Sequence, residues 1–209
     1  MFNLPKSTEI KPNKIIYKKT LYETFPEKFT GKRKASFDRD ISRLTLTHEL
    51  SDKSIFIPKT EDVPAIYLAQ LDLKTKNYRE DNLTLLAQAL GQKLLFVLAY
   101  QGEYKLALYE GKLLAGDWQR EEDLKIDLRG LNLKTLWENL ARQVGGLDWE
   151  EGKSLGDQIS RQEERERLEK TIQKLEKRAL KEDQAKKKLG LFQELKKYKK
   201  ELEELEWKN

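Results

Sequence analysis

Within the stretch "AIYLAQLDLKTK", Asp72 and Lys74 place a carboxylate and an ammonium two residues apart. In an extended strand such residues share a face, so Gln70, Asp72 and Lys74 lie on one side and Tyr67, Ala69, Leu71 and Leu73 on the other. Carboxylates hold a hard cation such as magnesium, and a lysine beside them steadies a nucleophile or the charge of a transition state. That is the chemistry of metal-dependent phosphodiester cleavage. It needs a second acid, and the upstream candidates are Asp52 and Asp62. The competing reading is a solvated strand face, because a chain with 37% charged residues places acids near lysines often.

A second chemistry-bearing set is cationic. Lys6, Lys11, Lys14, Lys18, Lys19, Lys32, Arg33 and Lys34 fall within the first 34 residues, interleaved with Tyr17, Tyr22, Phe25 and Phe29. Lysines and arginines neutralise phosphates, and aromatic rings stack on bases. This pattern predicts contact with a nucleic-acid backbone with little sequence preference, since no reading-helix motif is present. The alternative is a solubilising terminus whose aromatics dock on the core. The net charge of +5 agrees with a basic surface but is weak evidence alone.

Other chemistries are excluded. With no cysteine there is no disulfide, thiolate metal site or cysteine nucleophile. The one histidine, His48, leaves no multi-histidine metal site and falls on the apolar parity of its strand, as a structural histidine does. Neither GxxxxGK[ST] nor GxGxxG occurs, so no phosphate loop is expected. No apolar run approaches the roughly 20 residues that cross a bilayer, and the first residues lack the apolar stretch of a signal peptide. The expectations are a cytoplasmic protein, no membrane, no cofactor and no metal.

The elements that must position these residues follow from period and punctuation. Residues 1–34 read as a basic arm with a short helix from "NKIIYKKTLYETF", capped by Asn13, and residues 35–150 as the body. "KASFDRDI" suggests another short helix. "SRLTLTHEL" alternates as a strand, "SIFIP" is a short strand ended by Pro58, and "AIYLAQLDLK" is the next strand. "REDNLTLLAQALG" has helical spacing and a terminal Gly91. "QKLLFVLAYQG" is a central strand, "GEYKLALYEGKLLAGDW" its antiparallel neighbour with a further short strand, and "DLKIDLRG" an edge strand. "NLKTLWENLARQVGG" is a helix capped by Asn132. Trp118, Trp137 and Trp149 are core or interface anchors. The fold class is α/β (α+β): a largely antiparallel mixed sheet with flanking helices. Its order of helix, three strands, helix and strand, together with Asp-x-Lys, resembles the core of restriction-endonuclease-type nucleases, although the upstream acid does not follow a proline.

Residues 151–209 differ in character. Leu168, Ile172 and Leu175, then Phe192, Leu195, Leu202 and Leu205, recur at helical spacing on otherwise charged helices separated by "KEDQAKKKLG". An antiparallel helical hairpin and a long interrupted coiled coil are the two readings. Each stripe is thin and needs a partner surface, either another protein or a second copy.

The segments "FNLPKSTEI", "FDRDISRLTLTHEL", "LLFVLAYQGEYKLALYEGKLLAGDW", "LRGLNLKTLWENLARQVGG" and the charged helical tail, in this order, resemble the bacterial family catalogued as domain of unknown function 4391. The resemblance implies no established activity and no assigned catalytic residues. Its members look like companions of helicase and DNA-methyltransferase genes of restriction or phage-defence type. The expected function is therefore a non-catalytic accessory or adaptor subunit of a DNA-processing system. It docks a helicase-like or methyltransferase-type partner, or a second copy of itself, through the C-terminal helices and touches DNA through the basic arm. A magnesium-dependent nuclease using Asp72 and Lys74 with Asp52 or Asp62, and a structural homodimer without a DNA role, are the alternatives.

Overall fold

The computed structural model describes residues 2–147 and 154–207. Trp149, an expected anchor, lies outside the described residues, as does the expected boundary near 150. The chain divides into two compact units, Met1–Trp149 and Glu150–Asn209.

The first unit is built on a mixed sheet. Its strands are β1 (Glu9–Ile16), β2 (Ile41–Leu50), β3 (Ile66–Leu73), β4 (Lys93–Tyr100), β5 (Glu103–Glu110), β6 (Lys112–Ala115) and β7 (Gln119–Arg120). They lie in the order β1-β2-β3-β4-β5-β6, with β7 pairing β5. Every pairing is antiparallel except β3 with β4. A parallel pair needs a crossover, and helix α4 (Asp81–Leu90) supplies it. Gly91 ends α4 in the left-handed conformation at φ 62°, which a residue without Cβ adopts at no steric cost.

Alternation along β4 divides the core between two faces. Leu94, Phe96 and Leu98 join Ala69, Leu71 and Leu73 of β3, Leu83 and Leu86 of α4, and Phe37 of α2 (Gly31–Asp40) in one buried cluster. Leu95 and Val97, on the opposite face, are equally buried, and there α5 (Leu133–Gly145) packs over β5 and β6. Asn132 caps α5, accepting from the Thr135 N–H at 2.9 Å. Trp137 of α5 donates to Glu110 at 2.5 Å, and Trp118 is half-buried beneath Lys76. His48 is buried at 5% exposure, its Nδ1 3.0 Å from the Thr47 hydroxyl.

Three local expectations give way to the tertiary structure. Residues 13–16 belong to β1 and not to a helix. The β-branched pair Ile15-Ile16 registers against Thr45 and Leu44 of β2, so sheet pairing outweighs the weak cap of Asn13. Helix α1 (Lys18–Thr24) starts only after Tyr17. "SIFIP" holds a helical turn, α3 (Asp52–Ile55). There the Ser54 hydroxyl accepts from the Ser51 N–H at 2.8 Å and donates to the Glu49 carbonyl at 2.7 Å, and Phe56, in the left-handed region, points to solvent at 87% exposure. The expected edge strand at 124–130 is irregular. Side chains of α5 satisfy its backbone instead: Gln143 bonds Asp127 N and Lys125 O, and Asn139 donates to Arg129 O.

The second unit pairs α6 (Leu155–Lys181) with α7 (Ala185–Trp207). The chain reverses over residues 182–184, so the helices run antiparallel, with Glu176 paired to Lys199 at 2.9 Å and Arg161 bonded to the Leu205 carbonyl. Ile172, Leu175, Ala179 and Leu195 are the buried seam, with Leu191, Tyr198 and Leu202 packed against them. Of the two readings from sequence, the hairpin is the one formed.

Candidate nucleic-acid interface

The acids that could have joined Asp72 are not brought to it. Leu50 pairs with Ile66 at one end of β3, and Arg43 pairs with Asp72 at the other. Six residues of strand separate the two ends, about 20 Å. Asp52 follows Leu50 and Asp62 precedes Ile66, so both lie at the far end. Each acid has its own cation: Asp52 with Lys59 at 3.7 Å, Asp62 with Lys134 at 3.1 Å, and Asp72 with Arg43 at 4.0 Å. The residue directly across from Asp72 on β2 is thus a cation where a metal site requires a carboxylate. Gln70 also donates to Asp72 at 2.9 Å, and the Lys74 ammonium donates to the Asp38 carbonyl at 2.8 Å. Among the described residues no group of three or more acids or histidines could hold a metal ion. The expected helix, three strands, helix and strand order is not met either, since its middle strand is α3.

The cations divide into engaged and unengaged groups. Lys18 donates to Asp38 at 3.2 Å and to the Ile41 carbonyl at 2.5 Å, which makes it a structural tie. Lys11 pairs with Glu9 at 2.5 Å, Lys19 with Glu23 at 3.8 Å, and Lys34 lies 4.6 Å from the Tyr22 ring centre. Lys6, Lys14, Lys32 and Arg33 make no ion pair among the described residues. Lys14 is exposed on the edge strand β1.

Lys32 and Arg33 come together with a residue the sequence did not single out. They start α2, and Arg79 lies at the entrance to α4. The helices pack side by side, so all three cations, with Ser36, Thr84 and one acid, Asp81, line a groove of about 520 Å³. Arg79 is paired with Asp81 at 2.8 Å, whereas Lys32 and Arg33 make no ion pair among the described residues. Asp40 sets this geometry. Its fully buried carboxylate, at the C-terminal end of α2, accepts from Arg79 N at 2.9 Å, Asn82 Nδ2 at 2.9 Å and Arg39 Nε at 2.7 Å. Burial pushes the Asp40 pKa up, but the bonds from Arg39, Arg79 and Asn82 outweigh it and hold the carboxyl below the usual aspartate range. The groove therefore presents the unpaired Lys32 and Arg33 on α2 and the Asp81-paired Arg79 just before α4, an arrangement that takes an anionic backbone.

The interleaved aromatics do not serve that surface. Phe29 is buried and packs on Phe37 with ring centres 5.2 Å apart, and Tyr22 packs on Phe29 at 5.4 Å. Burial and the 2.6 Å bond from the Tyr22 hydroxyl to Asp38 push that phenol above its ordinary value. Phe25 also packs on the core. Of the four, Tyr17 is well exposed, at 67%.

Of the residues expected to bind a partner, Ile172, Leu175 and Leu195 are buried in the hairpin seam, with Leu202 packed against it. Leu168 is buried too, and Leu205 is half-buried. Phe192, 50% exposed, remains open, joined by Leu180 at 79% and Leu189 at 61%, which the sequence reading passed over.

The family model described as domain of unknown function (DUF4391) matches residues 2–202. No curated protein and no solved structure matches the chain.

Proposed function

We propose that this chain, which belongs to the family of domain of unknown function 4391, is a non-catalytic accessory subunit of a DNA-processing system of restriction or phage-defence type. It contacts the DNA backbone through the α2–α4 groove and docks a protein partner through the C-terminal hairpin. The observation that carries this reading is the convergence of Lys32, Arg33 and Arg79 on one groove between two helices. Cations so held lose less freedom on meeting phosphates than cations on a loose arm. The sequence carries no reading-helix motif, so the contact is electrostatic and nearly indifferent to sequence.

The test is fluorescence anisotropy of a labelled duplex, titrated with the full chain at several salt concentrations. Affinity falls steeply as salt rises. Replacing Lys32, Arg33 and Arg79 together by alanine removes up to three phosphate contacts and flattens the slope of log K against log salt by at most ~2.7, at ~0.9 per contact. An unchanged slope in the triple variant overturns the groove as the interface.

A further inference from the structure

One side of the hairpin carries a groove that the seam leaves open. Ala179, Leu180, Phe192 and Leu195 form its floor, Lys196, Lys199 and Lys200 stand on its rim with Glu176 and Glu203, and its volume is about 800 Å³. From Phe192 to Glu203 it runs about 17 Å along α7 at 1.5 Å per residue, three turns of a docked helix. Leu180 is the telling residue. Its neighbour Ala179 is in the buried seam, yet Leu180 points away from that seam and is 79% exposed. Leu180 and Phe192 together make an apolar patch that no described residue covers.

At the groove itself Lys199 is paired with Glu176 and Lys200 with Glu204, and Lys196 is the lining cation without an ion pair among the described residues. The turn end as a whole is one-sided in charge. Residues 174–200, the turn end of the hairpin, carry eleven lysines and arginines against four acids. Eight of those eleven make no ion pair among the described residues. The opposite end, residues 154–173 and 201–205, carries four cations against eight acids. Several of these acids are already paired within their own helix, as Glu164 with Arg167 and Glu169 with Arg165.

This pattern selects among occupants. A second copy packed turn-to-turn about a two-fold axis would bring two sets of unpaired cations together. Packed turn-to-opposite-end, it would bring cations onto acids but set Leu180 and Phe192 against an end that carries four cations and eight acids. Neither arrangement satisfies both the apolar floor and the charges. A nucleic-acid duplex answers the cations but offers no apolar face to Leu180 and Phe192. We infer that the groove holds an amphipathic helix of another protein, with its apolar stripe on Leu180 and Phe192 and acidic residues along its flanks. The inference rests on the hairpin-docking part of the proposed function and adds the chemistry of the partner.

The experiment uses the full chain and labelled synthetic helical peptides of about 18 residues with one leucine stripe, flanked by glutamate, glutamine or lysine. The glutamate peptide is expected to bind, more weakly as salt rises, and Leu180→Glu and Lys196→Glu each to weaken it at least tenfold. Both side chains lie outside the seam, and circular dichroism checks that the helices persist. Equal binding of the glutamine or lysine peptide overturns the acidic assignment while hairpin docking stands. Binding by none of the three overturns hairpin docking as well. A dimer in gel filtration that Leu180→Glu dissociates assigns the groove to a second copy, and displacement of the glutamate peptide by duplex DNA assigns it to nucleic acid; either result overturns the inference.

Discussion

Asp40→Ala removes the group that fixes α4 against α2. Close bonds from three partners are lost: two from Arg39, one from the Arg79 backbone and one from Asn82. They do not count equally. The Arg39 side chain is 62% exposed and recovers water, so its share is small. Asn82 is 3% exposed and, with the Arg79 N–H, keeps a donor whose anionic acceptor has gone. Hydrogen bonds to a charged group are worth about 1.5–3 kcal/mol each, which puts the loss at about 3–5 kcal/mol. In a protein of this size that is a fall in Tm of about 10 °C. Urea unfolding followed by tryptophan fluorescence measures it. The pH dependence has a definite sign. The folded carboxyl is held below its unfolded value, so its stabilisation is complete above the unfolded aspartate pKa, about 4, and disappears as pH falls through the folded value. The gap between wild type and Asp40→Ala therefore closes in acid, and Asp40→Asn lies between them at neutral pH. A neutral-pH loss below about 1 kcal/mol, or a gap that ignores pH, refutes the reasoning.

Gly130→Ala places a Cβ 2.5 Å from the Leu136 backbone nitrogen. The start of α5 cannot yield there, so the variant loses about 3 kcal/mol in urea unfolding, whereas alanine at Gly116, 3.5 Å from its nearest neighbour, is mild by comparison. His48 has its pKa lowered by burial, with Glu9 opposing. Its neutral form is the one the fold prefers, so stability is full above the unfolded histidine pKa, about 6.5, and falls as pH drops toward the folded value. His48→Gln flattens that limb of the stability profile.

Periodicity and punctuation were enough for the elements whose own residues settle their structure. The apolar run of β4, the Gly91 stop of α4, the Asn132 cap of α5 and the stripes of the hairpin all translate directly into the observed elements. Failures occurred where a distant partner set the backbone. Residues 13–16 became a strand because β2 offered a pairing edge, and residues 124–130 stayed irregular because Gln143 and Asn139 of α5 took their hydrogen bonds. The opening motif shows the same limit. Alternation correctly put Asp72 on the strand's partly exposed face, with Lys74 just past its end, yet only strand register placed Arg43 across from Asp72 and set Asp52 and Asp62 beyond the other end of β3, about 20 Å of strand away.

The candidate sites divide in the same way. The sequence by itself determined that cations concentrate in the first 34 residues and that the last helices are amphipathic, because composition and period are properties of neighbours along the chain. Tertiary structure decided which of them act together. Lys32 and Arg33 meet Arg79 only because α2 packs beside α4, and Lys18 leaves the available set because it folds back on Asp38 and the Ile41 carbonyl. Leu180 and Phe192, twelve residues apart in the chain, become one patch only when the hairpin closes. Packing fixes distances between residues remote in sequence, and a binding surface is a set of such distances.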